Sequence, residues 1–292
     1  GEGVERVAVG DYVIPAYIPQ CNESDCRFCM SPKTNLCSKI RATQGVGLMP
    51  NGTSRFTDSN GKPLRHFMGI SAFSQYTVCA DISVVKLDER SIPFSNKLPP
   101  MGCGLLSGYG AVVKAQLEKG ETCVIIGLGA VGLSAVLAAK QLGASKIIGI
   151  DINDNKKEVA EKVGITHFIN PKANPDKTIQ QQVIELCDGW GCDVSVECVG
   201  NVNLIRSALE MTVKGTGRAM IVGVATGAEI STKSFYLVSG RTWSGCAYGN
   251  IKPFTQLPGY VDQVISGEFP IDLFITGERP FEEINDAFHD LH

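Results

Sequence analysis

The chain has 292 residues, enough for roughly two domains. Its 43% hydrophobic and 20% charged content suits a soluble protein with a sizeable core, and no run of about 18 apolar residues is present to span a membrane. A net charge of −3, with no basic patch, argues against nucleic acid as the main partner.

The chain enters directly into a strand-like pattern, GEGVERVAVGDYVIP, with no initiator Met. No signal peptide is seen. Residues 1–104 are dense in turn signals such as Gly10-Asp11, Asn51-Gly52 and Asn60-Gly61. The segments VGDYVIPAYI (9–18) and FSQYTVCADISVVKL (73–87) read as strands of a β-rich region. Between them lies a cysteine cluster, CNESDCRFCMSPKTNLC, with spacing C-x4-C-x2-C-x7-C over Cys21, Cys26, Cys29 and Cys37. Four thiolates close a tetrahedral zinc site and leave no open position, so such a zinc is structural. Two disulfides or unpaired thiols are the alternatives. The other seven of the eleven cysteines are dispersed and several lie in apolar runs, which points to a reducing compartment and a cytoplasmic protein. Cys103 stands apart in PPMGCGLLSGYG, at the junction with the next region, where substrate clefts form. A catalytic zinc needs three protein ligands. The four histidines, His66, His167, His289 and His292, do not complete that set: His66 reads as a surface or packing residue, His167 opens a strand, and the last two lie at the end of the chain.

From about residue 105 short apolar runs alternate with amphipathic stretches. TCVIIG, KIIGID, THFIN, CDVSVECVG and RAMIVGV read as strands; AVGLSAVLAAKQLG, KKEVAEKVG, TIQQQVIELC and VNLIRSALEMTV read as helices. This is the pattern of an α/β, doubly wound parallel sheet. Gly127-Leu128-Gly129-Ala130-Val131-Gly132 follows the first strand and opens a helix, and the next strand ends in Asp151, 19 residues after Gly132. Gly127 permits the turn, Gly129 admits a pyrophosphate to the backbone, and Gly132 lets helix pack on strand. The helix N-terminus offers free N–H groups to the phosphates. Asp151 suits the ribose hydroxyls and repels a 2′-phosphate, favouring NAD over NADP. Lys156 lies where a cation can reach the ribose, although a solvated helix-face lysine is the plainer reading. After residue 247 the pattern is mixed, and FEEINDAFHDLH stops inside a helical pattern. Both ends look cut.

With the cysteine loop, lone Cys103 and dinucleotide fingerprint in this order, the chain resembles the zinc-dependent medium-chain alcohol dehydrogenases, and most closely the class III group, the S-(hydroxymethyl)glutathione dehydrogenases. The residues that carry the resemblance are YIPQC, SPKTNLC, KIRATQG, GLMPNGTSRFT, FSQYTV, GCGLLSGYGAVV, GLGAVGLS, IIGIDIN, VECVGN, SGRTW and PFEEINDAF, spread over nearly the whole chain.

The resemblance implies an incomplete GroES-like β-rich catalytic domain over 1–104, a Rossmann NAD-binding domain over 105–247 that mediates a homodimer, and a return segment over 248–292. It implies Cys21, Cys26, Cys29 and Cys37 as structural zinc ligands and Cys103 as one catalytic-zinc ligand. NAD contacts are implied from Gly127, Leu128, Gly129, Ala130, Val131, Gly132, Asp151, Lys156 and Arg241, with Ser107 as a small hydroxyl near the nicotinamide. Arg41 matches the class III arginine that pairs with a glutathione carboxylate, a task its bidentate fork suits. Lys252 is a second candidate for the anionic substrate; a solvated cation is the alternative for both. The implied activity is NAD-dependent oxidation of S-(hydroxymethyl)glutathione, with S-nitrosoglutathione reduction and primary alcohol oxidation as related activities.

The chain departs from the family pattern in three ways. Asn22, Glu23, Ser24 and Asp25 separate the first two cluster cysteines where two residues are usual. Ser38 stands where class III enzymes commonly have Gln. The segments that carry the first catalytic Cys, the His-Glu pair and the C-terminal cofactor arginine are not in this sequence, so this chain alone is expected to be inactive. The rivals are an alcohol dehydrogenase of another class and a non-catalytic NAD-binding protein. A nucleic-acid-binding zinc module leaves the α/β half unexplained.

Overall fold

The computed structural model describes residues 1–290. The first hundred residues wrap around a small amount of regular structure. Strand β1 (Val13–Pro15) pairs antiparallel with β4 (Val84–Lys86), and β2 (Phe56–Thr57) pairs with β3 (Pro63–Leu64). Helices α1 (Arg27–Met30) and α2 (Arg41–Gln44) are single turns. The strands expected over 9–18 and 73–87 thus shrink to three residues each. Ile14, Val84 and Val85 are buried, whereas Val9, Phe73 and Tyr76 are exposed. Among the described residues those flanking stretches have no neighbouring strand to take up their backbone groups, and unpaired backbone does not hold a strand.

Helix α3 (Gly104–Lys114) begins immediately after Cys103. Its Leu105, Leu106, Ala111 and Val112 are fully buried and share one core with Ile14, Ile18, Leu98 and Met101 on one side and with the α/β region on the other. The hinge between the two halves is therefore a packed helix rather than a linker, and its burial places Cys103 in a fixed position.

The α/β region builds a six-stranded sheet from β5 (Thr122–Ile126), β6 (Lys146–Ile150), β7 (His167–Ile169), β8 (Val194–Glu197), β9 (Arg218–Ile221) and β10 (Thr242–Gly245). All neighbours are parallel, in the order β10-β9-β8-β5-β6-β7. Helices α4 (Ala130–Gln141), α5 (Lys156–Val163), α6 (Ile179–Leu186) and α7 (Val202–Glu210) make the crossovers. Strand β5 shows why its sequence is a continuous apolar run rather than an alternating one: Cys123 and Ile125 join the core on one face, Val124 and Ile126 the core on the other. The strand order reverses beside β5, between β6 and β8, and that reversal opens the crevice where α/β sheets bind ligands.

Helix α8 (Ser234–Val238) precedes the edge strand β10. Helix α9 (Pro253–Ser266) then returns to the N-terminal half, and α10 (Ile284–Asp290) ends the described chain. Tyr248, buried between the halves, donates its hydroxyl to the Met101 carbonyl at 2.7 Å. His292 lies outside the described residues. Among those residues no helix is long and apolar enough to cross a membrane.

Candidate functional site

The cysteine loop converges. The sulfurs of Cys21, Cys26, Cys29 and Cys37 all lie within 4.8 Å of one another, and all four residues are buried. Every one of the eleven cysteines is a free thiol. Even the Cys21–Cys29 Sγ separation, 3.6 Å, is far beyond a sulfur–sulfur bond, which removes the disulfide alternative. The extra residues between Cys21 and Cys26 are absorbed by a turn. Asn22 takes a left-handed φ of 58°, Cys26 N–H donates to Glu23 O at 3.0 Å, and residues 22–25 stay exposed while the sulfurs on either side remain inward. Burial pushes the Cys21 and Cys37 thiols up. Burial acts the same way on Cys26, but the backbone N–H of Cys29 and the neighbouring thiols outweigh it and bring its pKa down to about 7. Four buried soft donors, one of them ionising near neutrality, fit a structural zinc.

The lobe is fastened to the rest of the molecule by polar side chains that spacing did not reveal. Asn35, buried, donates from Nδ2 to Ala247 O at 2.8 Å and Ile251 O at 2.9 Å. Arg6 donates to Gln20 O at 2.7 Å and to Cys21 O, with its guanidinium 4.9 Å from the Phe254 ring centre. Lys252 donates from Nζ to Cys29 O and to Ser31 O at 2.7 Å. These two carbonyls hold the Lys252 side chain against the lobe, and among the described residues no carboxylate pairs with its ammonium.

At the sheet's switch point the glycine turn has the geometry a dinucleotide requires. Gly127 has φ +89°, a backbone state closed to most side chains. At Gly132 an added Cβ would lie 1.8 Å from Gly127 O, so only glycine lets α4 sit this close to the end of β5. A Cβ at Gly129 would meet no atom within 4 Å. The space in front of Gly129 is an open cradle, and no side chain caps the α4 N-terminus behind it. Leu128, Ala130 and Val131 complete the turn. Asp151, at the end of β6, accepts Leu128 N–H through Oδ2 at 2.8 Å and Asn153 N–H through Oδ1 at 2.9 Å. The carboxylate is locked beside the turn, with lone pairs left for ribose hydroxyls. Lys156 is the first residue of α5 on the same side of the sheet. Exposed apolar side chains that the motif did not flag surround the crevice: Ile152 after β6, Val199 after β8 with its Cγ2 against Gly127, and Val224 after β9.

Arg241 does not join this site. It precedes β10, at the edge of the parallel sheet opposite the strand C-termini where the turn lies. Its Nε donates to Thr212 O at 2.9 Å, its Nη1 to Ser239 Oγ at 3.0 Å, and its guanidinium lies over the Tyr236 ring. The expected NAD contact is corrected to a local anchor of the sheet edge.

Cys103 opens onto a cavity of about 490 Å³ with mostly apolar walls, among them Tyr17, Phe67, Met68 and Leu98. Burial raises its thiol above the ordinary value. Tyr17, missed in the sequence, packs edge-on against Tyr248 at 5.7 Å, and burial, with the Cys103 thiol beside it, raises its phenol to about 12. Ser107, one turn into α3, donates its hydroxyl to Cys103 O at 2.9 Å. Among the described residues the only group of three or more His, Cys, Asp or Glu side chains that converges on a common point is the cysteine lobe. Cys103 therefore offers one donor where a catalytic zinc needs three, and the described residues do not fit that metal. Arg41 opens α2 and touches only Gln44, at a long 3.4 Å. His66 is buried, with Nε2 accepting from Arg55 N–H at 3.1 Å. His167 and His289 lie away from both sites, on β7 and α10.

A four-cysteine lobe on the same chain as a parallel sheet with a dinucleotide turn is the combination found in zinc-binding dehydrogenases, and comparison with known proteins agrees. The family model described as zinc-binding dehydrogenase matches residues 130–265. The chain is 50% identical to an S-(hydroxymethyl)glutathione dehydrogenase of Komagataella pastoris and 51% identical to an alcohol dehydrogenase class-3 of Drosophila melanogaster, in each case over all of this chain and 76% of the relative. Among solved structures it superimposes on an alcohol dehydrogenase zinc-binding domain protein from Burkholderia ambifaria (TM-score 0.87, 29% identity, 99% of this chain and 76% of the other). A benzyl alcohol dehydrogenase from Acinetobacter calcoaceticus gives a TM-score of 0.81 at 29% identity over the same shares. The chain belongs to the zinc-dependent alcohol dehydrogenase family, on the branch shared with class-3 enzymes and S-(hydroxymethyl)glutathione dehydrogenases. Zinc and NAD, the cofactors of these enzymes, correspond to the cysteine lobe and the glycine turn.

Proposed function

We propose that the chain serves NAD-dependent oxidation of a glutathione-bound alcohol, S-(hydroxymethyl)glutathione, and so the removal of formaldehyde. The observation that carries this reading is the pairing of an open cradle at Gly129 with a locked Asp151 carboxylate, on the same fold as an apolar cleft that ends at Cys103. Bound NAD supplies the hydride acceptor. The chain's own part is placement. Backbone N–H groups at the start of α4 take the pyrophosphate and Asp151 takes the ribose. Val199 and Val224 wall the crevice, and Tyr17, Phe67 and Met68 exclude water around the substrate carbon. Arg41 lines a neighbouring cavity that shares Phe67 and Met68 with the cleft, and there holds a carboxylate of the glutathione part. The same contacts serve S-nitrosoglutathione, which carries the same two carboxylates. The cysteine lobe would hold one zinc and keep residues 21–37 folded, remote from the chemistry. With one donor at Cys103 this chain by itself is not expected to turn over substrate. A second copy has a surface to join, since β10 is an edge strand and α8 exposes Phe235, Leu237 and Val238 beside it.

The apolar cavity also suits a plain primary alcohol, which keeps an alcohol dehydrogenase of another class as the second reading. Arg41 favours the glutathione adduct, because a simple alcohol gives a cation in the neighbouring cavity nothing to bind.

Coenzyme choice tests the nucleotide assignment. NADH fluorescence titrations of the 292-residue chain are expected to give much tighter binding for NADH than for NADPH, because the 2′-phosphate meets Asp151. An Asp151→Ala chain is expected to lose about tenfold or more for NADH and most of its discrimination. Equal affinity of the unaltered chain for the two coenzymes would overturn the assignment.

A further inference from the structure

The sheet buries an acid at its switch point. Glu197 is the last residue of β8, paired with Ile126 just before the glycine turn, and none of it is exposed. Its Oε1 accepts the N–H groups of Val199 at 2.9 Å and Gly200 at 2.8 Å. Its backbone carbonyl accepts those of Val222 at 2.9 Å and Gly223 at 3.0 Å. One residue thus holds both turns that wall the crevice, the turn after β8 with Val199 and the turn after β9 with Val224. The two turns touch. A Cβ on Gly200 would lie 2.6 Å from Val224 O, and one on Gly223 would lie 2.1 Å from Gly200 N and 2.5 Å from Glu197 Oε2. Val199 in turn lies against Gly127, so contact runs from Glu197 through Val199 to the dinucleotide turn.

The charge calls for an explanation. Oε2 is buried with no partner, and buried polar atoms are almost always paired. A neutral acceptor would satisfy the same N–H groups without burying a carboxylate. Burial raises the pKa of Glu197, the N–H groups of Gly200, Val199 and Asn201 lower it, and no charged side chain adds to these. Its titratable neighbour, Cys198, is held protonated by burial, well above the ordinary thiol range. What an ionised group supplies is stiffness, because hydrogen bonds to a carboxylate are shorter and about twice as strong as those to a neutral acceptor. Two N–H bonds occupy Oε1, so an added proton goes to the unpartnered Oε2 and weakens the bonds at Oε1.

We propose that Glu197 is the positioning residue of the coenzyme crevice: its carboxylate clamps the turns after β8 and β9, so that Val199 and Val224 stand in place for the dinucleotide. The inference rests on the coenzyme reading above and deepens it. Glu197 is sealed from solvent and acts through the two valines, not by touching the ligand.

The test is NADH fluorescence titration of the 292-residue chain and of Glu197→Gln from acid to alkaline pH, with thermal melts alongside. The amide keeps the shape and the acceptor but cannot ionise. NADH binding to the unaltered chain is expected to weaken as pH falls through the raised pKa of Glu197. Glu197→Gln is expected to bind about tenfold more weakly than the unaltered chain on the alkaline side, and equally on the acid side. Asp151 is common to both chains, so its contribution drops out of the comparison. Stability has the opposite sign. A carboxyl whose pKa rises on folding stabilises the fold below its unfolded value, and that contribution is lost as pH rises through the folded pKa. Glu197→Gln should therefore melt no lower than the unaltered chain on the alkaline side, which separates placement of the walls from a defect in folding. Glu197→Asp keeps the charge but withdraws it from Val199 and Gly200, and should bind weakly at every pH. If Glu197→Gln binds NADH as the unaltered chain does at every pH, or loses binding only in step with melting, or if Glu197→Asp binds like the unaltered chain, the inference falls and the coenzyme reading stands. If the unaltered chain binds no NADH, both fall.

Discussion

A Cys29→Ser chain is expected to lose its zinc, and with it the fold of residues 21–37, while still binding NADH. The lobe cannot hold itself together by apolar burial. Its buried cluster is the four cysteines themselves, with only Phe28 and Ile82 packed against them. Apparent binding free energies of structural zinc sites are about 10–16 kcal/mol, and in a lobe of this kind that binding is the folding free energy. The serine removes one of four converging donors and leaves three buried thiols without a metal to satisfy them. The lobe's clamps then fail together, because Lys252 holds loop carbonyls and Asn35, which holds Ala247 O and Ile251 O, is itself part of the loop. The coenzyme turn lies on β5 and α4, whose packing does not pass through the lobe, so its affinity is expected to hold. Limited proteolysis within 21–37 should become fast, thermal melting should fall, and a chelator acting on the unaltered chain should reproduce both. Unchanged proteolysis and melting after complete metal removal would contradict this.

The second large effect separates two glycines three residues apart. In Gly132→Ala the new methyl group would sit 1.8 Å from Gly127 O and 3.2 Å from Ile125 Cγ2. The nearest atom is backbone, so α4 has to move away from β5. Overpacking of that kind typically costs about 1–3 kcal/mol, and the displaced helix N-terminus no longer points at the phosphates. Loss of both stability and NADH binding is expected. Gly129→Ala is the contrast. Its φ of −77° is open to alanine and its methyl group meets nothing within 4 Å. That chain should melt like the unaltered one yet bind NADH poorly, because the methyl group fills the space the pyrophosphate needs. Thermal melts and NADH titrations of both variants decide. Equal NADH affinity of Gly129→Ala and the unaltered chain would show that the cradle is not a phosphate site.

Much of this site could be read from spacing, where spacing reflects a local physical demand. The alternation of apolar runs and amphipathic helices over 122–221 matches the observed strands and crossovers because buried parallel strands must be apolar on both faces. The cysteine spacing survived two extra residues because a left-handed Asn22 turns them outward. Helix α3 was hidden because its glycines disguise a helix whose close neighbours leave no room for side chains; at Gly110 a Cβ would meet Gly249 O at 2.3 Å. The strands flanking the lobe were overestimated because strand propensity cannot supply a pairing partner. Arg241 and Lys252 come from resemblance, without local geometry behind them; Arg241 lies before β10, at the end of the sheet away from the glycine turn, and its Nε donates to Thr212 O. Glu197 reads only as the end of a strand, and it is the turns after β8 and β9 that bring it to the crevice.

The most direct test of the central claim, a zinc-organised lobe joined to a coenzyme fold whose Cys103 stands without fellow ligands, is the zinc content of the purified 292-residue chain by native mass spectrometry. One zinc per chain, lost in Cys29→Ser and retained in Cys103→Ser, is the predicted result. Two zincs per chain, or none, would contradict it.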